Sequence, residues 1–304
     1  METPSASRAA YLQLHLLVVI FASTAVIGQY ISFSAPAIVI WRTLFAAIGG
    51  AFLVGVVLRC PLLPPVAIVW RLLGIGAIVG CHWMCFFGAI RLANISICLA
   101  GMATMSFFTA FTEPWIEKRR VRPFEVLLGL IALSGILLVA GFERGRIAGL
   151  AVALMGAFLA AVFPVLNRAV VRGSGVHPLT MVVWEMAGAC LVCLAALPLL
   201  DGPAGYAALF RWQALDWLWI LLLALVCTVF SHAWHIRLLR HISAYSANLA
   251  GNLEPVYGIL AAALIFHEHR DLHPGFFAGT AAILSANILH PLLIHWQRRK
   301  RMQE

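Results

Sequence analysis

The chain has 304 residues, 62% of them hydrophobic and 11% charged, with a mean hydropathy of +0.95. A soluble domain carries about 25% charged residues, so this composition excludes a globule wetted by water and demands lipid as solvent. The net charge of +9 excludes little by itself, but it clusters at Lys118-Arg119-Arg120 with Arg122 and at Arg298-Arg299-Lys300-Arg301, each directly after an apolar run. Anionic headgroups suit such clusters, whereas no basic face with interleaved aromatics points to nucleic acid.

Backbone polar groups in hydrocarbon must bond within their own segment, so spans are helices or closed barrels. Barrel strands read as short alternating segments. The runs here are long, unalternated and rich in Ala, Leu and Gly, which predicts helices. The first covers 11–29 after a short polar start; that arrangement also resembles a signal peptide, but the repeat below needs it as its first span. The next are 36–58, opened by Ser34-Ala35-Pro36, and 66–90, after Cys60-Pro61. Segments 94–116 and 123–141 flank the first basic cluster, and 147–170 and 178–199 flank Gly173-Ser174-Gly175. The longest connection, 200–214, holds Asp201-Gly202-Pro203 and the interfacial aromatics Tyr206, Phe210 and Trp212. Segments 215–239, 243–266 and 273–296 complete ten. Each approaches the ~20 residues that a ~30 Å hydrocarbon core requires.

With a cytoplasmic N-terminus and ten alternating spans, 15 Lys and Arg fall inside and 6 outside, the latter being Arg42, Arg91, Arg144, Arg146, Arg211 and Arg270. That asymmetry predicts both termini in the cytoplasm. The seven cysteines lie almost entirely within apolar runs and read as small buried hydrophobes. Cys190-Leu-Val-Cys193 lacks the βαβ context of a redox motif.

The chain also repeats. Leu99-Ala100-Gly101 returns as Leu249-Ala250-Gly251, about 150 residues on. Glu117, Pro123 and Gly129 return as Glu268, Pro274 and Gly279, and Trp41-Arg42 returns as Trp184-Glu185. Five spans per half is an odd number, so the halves, 1–145 and 146–304, must be inverted relative to each other. In such architectures the substrate site lies near midplane where the halves meet.

These landmarks resemble the EamA-type proteins of the drug/metabolite transporter superfamily. The resemblance covers nearly the whole chain and is strongest at Asn252-Leu253-Glu254-Pro255-Val256-Tyr257-Gly258, followed by Glu268 and Pro274. The first half departs from it, because Glu113-Pro114 lies ten residues later in register than Glu254-Pro255. The resemblance implies export of amino acids or other small metabolites.

Polar residues inside spans are costly and need a partner, a wet cavity or an escape to the interface. Glu254 leads the candidates, near midplane beside a proline that frees the carbonyl of Gly251, with Asn248, Asn252 and Tyr257 one turn away. It reads as a coupling or cargo carboxylate, or as a structural acid. Glu185 and Arg42, at related places in the two halves, pair with each other or bind opposite ends of a zwitterion. His82-Trp83, with Phe86 and Phe87, reads as an aromatic wall beside an imidazole, or as packing. His232 and His235 are weaker candidates of the same kind, and Asn167, after Pro164, reads as a cavity residue or as a helix–helix hydrogen bond. Glu113 is expected to reach the interface beside Lys118. His267 to His273 spells a solvated outer turn rather than a zinc site, and no metal, cofactor or obligate protein partner is implied.

No P-loop, HExxH, GxSxG or Rossmann pattern appears, so active transport must draw on a gradient. The expected protein is a monomer-sufficient, alternating-access exporter of small molecules in a bacterial-type inner membrane, with Glu254 leading for proton or cargo coupling. An integral-membrane enzyme, or a sensor or assembly partner that moves no solute, are the alternatives.

Overall fold

The structure, a computed structural model, describes residues 8–118, 120–121, 123–213, 215–251, 253–285 and 289. Among these the regular elements are all helical. They are α1 (Arg8–Tyr30), α2 (Ala35–Phe52), α3 (Val66–Leu92), α4 (Ile95–Met102), α5 (Met105–Ile116), α6 (Pro123–Phe142), α7 (Ile147–Gly173) and α8 (Pro178–Leu200). After these come α9 (Gly205–Ala208), α10 (Asp216–Ala224), α11 (Ser231–Leu238), α12 (Ala244–Gly251), α13 (Glu254–Ile265) and α14 (Pro274–Ser285). Seven stretches among the described residues are long and apolar enough to cross a membrane: 12–30, 35–57, 66–92, 95–116, 144–173, 178–200 and 216–238. The basic cluster at 298–301 and Arg119 and Arg122 of the other cluster lie outside the described residues.

Local chemistry sets the helix ends. Proline opens α2 and α8 in their first turns, where a missing N–H costs nothing. Asn94 caps α4 by accepting from Ile97 N–H at 2.8 Å. A second acceptor reaches the same helix end from far along the chain: Glu268 takes Ile95 N–H at 3.1 Å and Ser96 N–H at 2.9 Å, and Ser96 Oγ donates to it at 2.7 Å. Glu268 is buried, so the turn at 267–273 is not simply solvated as expected. A carboxylate on orphan amides at a helix N-terminus is stabilised by both hydrogen bonds and dipole. Glu268→Ala is therefore expected to cost about 1–2 kcal/mol, read as a lower melting temperature in detergent, while Glu268→Gln loses less.

Two of the expected segments are broken. Segment 94–116 divides between Met102 and Met105, and segment 243–266 divides between Gly251 and Glu254. The first break follows Gly101, whose carbonyl accepts both Thr104 Oγ1 at 2.7 Å and Thr104 N–H at 3.1 Å, a local bond that competes with the helical ladder. The second precedes Pro255, which has no N–H to donate. A third irregularity is the π-helical turn Leu225–Phe230 between α10 and α11. Its Thr228 Oγ1 donates to Leu223 O at 2.8 Å.

Helices α3 and α8 pack backbone to backbone. A Cβ on Gly76 would overlap the carbonyl oxygen of Glu185, and one on Gly188 that of Leu73. Such small-residue contacts let membrane helices approach closely. They hold the His82 and Glu185 helices together. Two indoles tie loops to helices: Trp41 Nε1 donates to Leu209 O at 3.0 Å, and Trp184 Nε1 donates to Leu62 O at 2.9 Å. The 200–214 connection carries the short α9, with Tyr206 and Phe210 exposed and Trp212 packed 4.9 Å from Trp41.

Candidate functional site

A cavity of about 100 Å³ lies between the first and second halves of the chain. Both helix breaks line it, through Met102 and Met105 of the first and Gly251 and Glu254 of the second. Its other walls come from Phe21 and Thr24 of α1, Arg42 of α2, and His82, Trp83 and Phe86 of α3. Ala160 and Phe163 of α7, Cys227 of the π turn, and His232 and His235 of α11 close it.

Among the described residues Arg42 is the one arginine that lines this cavity, and its burial is nearly complete. Its Nε donates to Thr228 Oγ1 at 2.7 Å and its Nη2 to Cys227 O at 3.2 Å. The π turn supplies both acceptors, one a side-chain hydroxyl and the other a backbone carbonyl. The guanidinium lies 3.9 Å from the centroid of the Trp83 ring, a cation–π contact. Nη1 has no hydrogen-bond partner among the described residues. Arg42 is thus fixed at two nitrogens and unsatisfied at the third. An unpartnered buried N–H costs roughly 1–3 kcal/mol, which a bound anionic group would recover.

Glu254, at the first turn of α13, also lines the cavity and is near enough to Arg42 for the two charges to interact. Among the described residues no ion pair closes that gap. The cavity therefore presents an unpaired cation and a carboxylate together with an apolar lining of Phe21, Trp83, Phe86, Phe163, Met102 and Met105.

The expected pairing of Arg42 with Glu185 is not formed. Glu185 is fully buried on α8, where its Oε2 accepts from His232 Nε2 at 2.8 Å and from Asn167 Nδ2 at 3.2 Å. Of this trio only His232 lines the cavity. His82 does line it, and its Nδ1 donates to Gly156 O at 2.9 Å, which leaves Nε2 as an acceptor in the neutral ring. Asn248 lies elsewhere: its Nδ2 donates to Thr109 Oγ1 at 2.8 Å and Ala160 O at 3.2 Å, sewing α12 to α5 and α7. Tyr257 is also away from the cavity, its hydroxyl 2.7 Å from His15 Nε2. Asn252 lies outside the described residues. Glu113 does not reach the interface. It is buried, with Arg168 Nη1 donating to it at 3.4 Å and also to Glu117.

Phe163, Met102, Met105 and Thr228 were not singled out from sequence. The apolar run Leu225–Phe230 gives no sign of its π turn. The 150-residue spacing that relates Leu99 to Leu249 also relates His82 to His232, and that signal was available.

The fold and site define a polytopic α-helical membrane protein built around a charged internal cavity. Residues 147–292 match the model of the EamA-like transporter family, which is consistent with the EamA-type resemblance read from the sequence. A crystal structure of another protein superposes with a TM-score of 0.67 at 18% identity, over 95% of this chain and 99% of that one. At that identity the likeness is one of fold. No curated protein matches the chain.

Proposed function

We propose that this protein is a ten-span, monomer-sufficient exporter of small zwitterionic metabolites, apolar amino acids first, working by alternating access in a bacterial inner membrane. The carrying observation is the cavity lined by two broken helices, which holds both Arg42, with its Nη1 unpartnered, and Glu254. A substrate carboxylate suits Arg42, an ammonium suits Glu254, and a hydrocarbon side chain suits the aromatic and thioether wall.

Inverted halves, 1–145 and 146–304, are supported by reciprocity. Trp41 holds the connection after α8, and its counterpart Trp184 holds the connection after α2. The breaks fall 149 positions apart, counted from Met102 to Gly251 or from Met105 to Glu254. Interrupted helices at matching places in two halves are the usual address of a transporter's binding site.

The arginine and lysine asymmetry supports cytoplasmic termini. Arg42 leaves the outer tally, since it sits in the cavity and not at a surface. Thiols placed at positions 206 and 269 are expected to label from the outer face of intact cells, and labelling only from the cytoplasmic side would reverse the orientation.

The test of the site is Glu254→Gln, which keeps shape and removes charge. Reconstituted into vesicles, this variant is expected to fold, to bind the zwitterion at least about tenfold more weakly through loss of a charged contact worth about 1.5–3 kcal/mol, and to transport slowly. Parental flux with the parental pH profile would remove Glu254 from the mechanism.

A further inference from the structure

The Glu185 trio carries a second site. Glu185 and Asn167 are both 0% exposed, and each keeps one buried oxygen, Glu185 Oε1 and Asn167 Oδ1, with no partner among the described residues. Asn167 Nδ2 donates to Glu185 Oε2, and turning the amide would set two acceptors against each other whenever the acid is ionised. Two orphan acceptors remain on one hydrogen-bonded acid–amide pair. A single proton on Oε1, donated to Oδ1, would satisfy both and close a cyclic carboxylic acid–carboxamide pair. Without it, a buried carboxylate oxygen carries charge with no donor, and the desolvation penalty is several kcal/mol.

The neighbouring charged and titratable groups are otherwise engaged. On α2, Arg42 bonds Thr228 and Cys227; on α3, His82 bonds Gly156. On α7, Arg168 bonds Glu113 and Glu117. On α11, His232 donates to Oε2, and His235 lies 6.4 Å from the His232 ring. Glu254 of α13 lies on the cavity. A metal cation is a poor alternative, since hard cations seek six or more oxygens and two N–H donors already aim at Oε2.

We propose that Glu185 and Asn167 form a proton-binding site, joined to the cavity by His232, and that this site rather than Glu254 couples transport to a proton gradient. The coupling rests on the transport reading; the proton site does not. Loading places one proton on Oε1. Unloading gives it to water admitted as the cavity opens, leaving a carboxylate whose Oε2 keeps the His232 and Asn167 donors. Cargo and proton then occupy separate acids, Glu254 and Glu185.

Infrared difference spectroscopy of the purified protein tests the site without cargo, by the C=O stretch of a neutral carboxyl as pH is raised. The band is expected in the parent, lost in Glu185→Gln, kept in Glu254→Gln, and moved to higher frequency in Asn167→Leu, which removes its hydrogen-bond acceptor. No difference between parent and Glu185→Gln, or no movement in Asn167→Leu, overturns the site; Asn167→Leu decides alone if the Gln variant does not fold. In vesicles, Glu185→Gln mimics the loaded form, so cargo exchange is expected to persist while accumulation driven by a pH gradient is lost. A parent that moves no cargo removes the transport reading and leaves the infrared result to decide the site. Accumulation driven by sodium and indifferent to pH, or equal in parent and Glu185→Gln, overturns the coupling.

Discussion

Arg42→Ala is expected to fold and to lose cargo binding by about 2–5 kcal/mol, roughly thirtyfold to a few thousandfold, the usual consequence of truncating one partner of a buried charge pair. The scaffold around Arg42 survives because its acceptors have other donors or partners. Thr228 still bonds Leu223 O, and Cys227 O still accepts from Ser231 Oγ at 2.6 Å. What disappears is the free Nη1 and the cation over Trp83. Arg42→Lys is expected to restore little, since one ammonium cannot hold Thr228 and Cys227 in a planar fork while offering a donor to cargo. Equilibrium binding of labelled apolar amino acids to the three proteins checks this, and equal affinities across them would refute the assignment of Arg42.

Gly188→Val is expected to have the largest effect on stability. The added Cβ would overlap Leu73 O and lie 2.8 Å from Leu73 Cα. These are backbone atoms, so relief requires α3 and α8 to separate. Overpacking a tight core costs typically about 1–3 kcal/mol, and a rigid obstacle places this case at the upper end. Helix α3 carries His82 and Trp83 and α8 carries Glu185, so the cavity wall and the acid–amide pair are disturbed together. Melting in detergent, with Gly74→Ala as control because nothing lies within 4 Å of its Cβ position, is the measurement. A Gly188→Val protein that melts with the parent would show that the α3–α8 contact is looser than described.

The helices were legible because a span must be long and apolar, and Leu, Ala and Gly supply that for about 20 residues at a time. Prolines and glycines marked most of the ends. The break before Glu254 was legible through Pro255, but its partner between Met102 and Met105 was not, since only Gly101 and Thr104 weaken the ladder there.

The site was read less well, for a geometric reason. Sequence places a residue along a helix but not around it relative to neighbours. Asn248 and Tyr257 are close to Glu254 in the chain, yet successive residues turn by 100°, and both face other helices. Arg42 was matched to Glu185 by repeat position. The π turn, invisible in Leu225–Phe230, gave Arg42 other acceptors, while His232 and Asn167 took the acid. Glu113 appeared free to reach the interface because nothing in its own segment shows that α7 brings Arg168 beside it.

The most direct test of the central claim is exchange of labelled apolar amino acids across vesicles holding the purified protein, compared with the Arg42→Ala/Glu254→Gln double variant. Saturable exchange is expected in the parent and in Gly74→Ala, and loss of it in a double variant that still folds. Exchange no faster than in protein-free vesicles, or undiminished in the double variant, would contradict it.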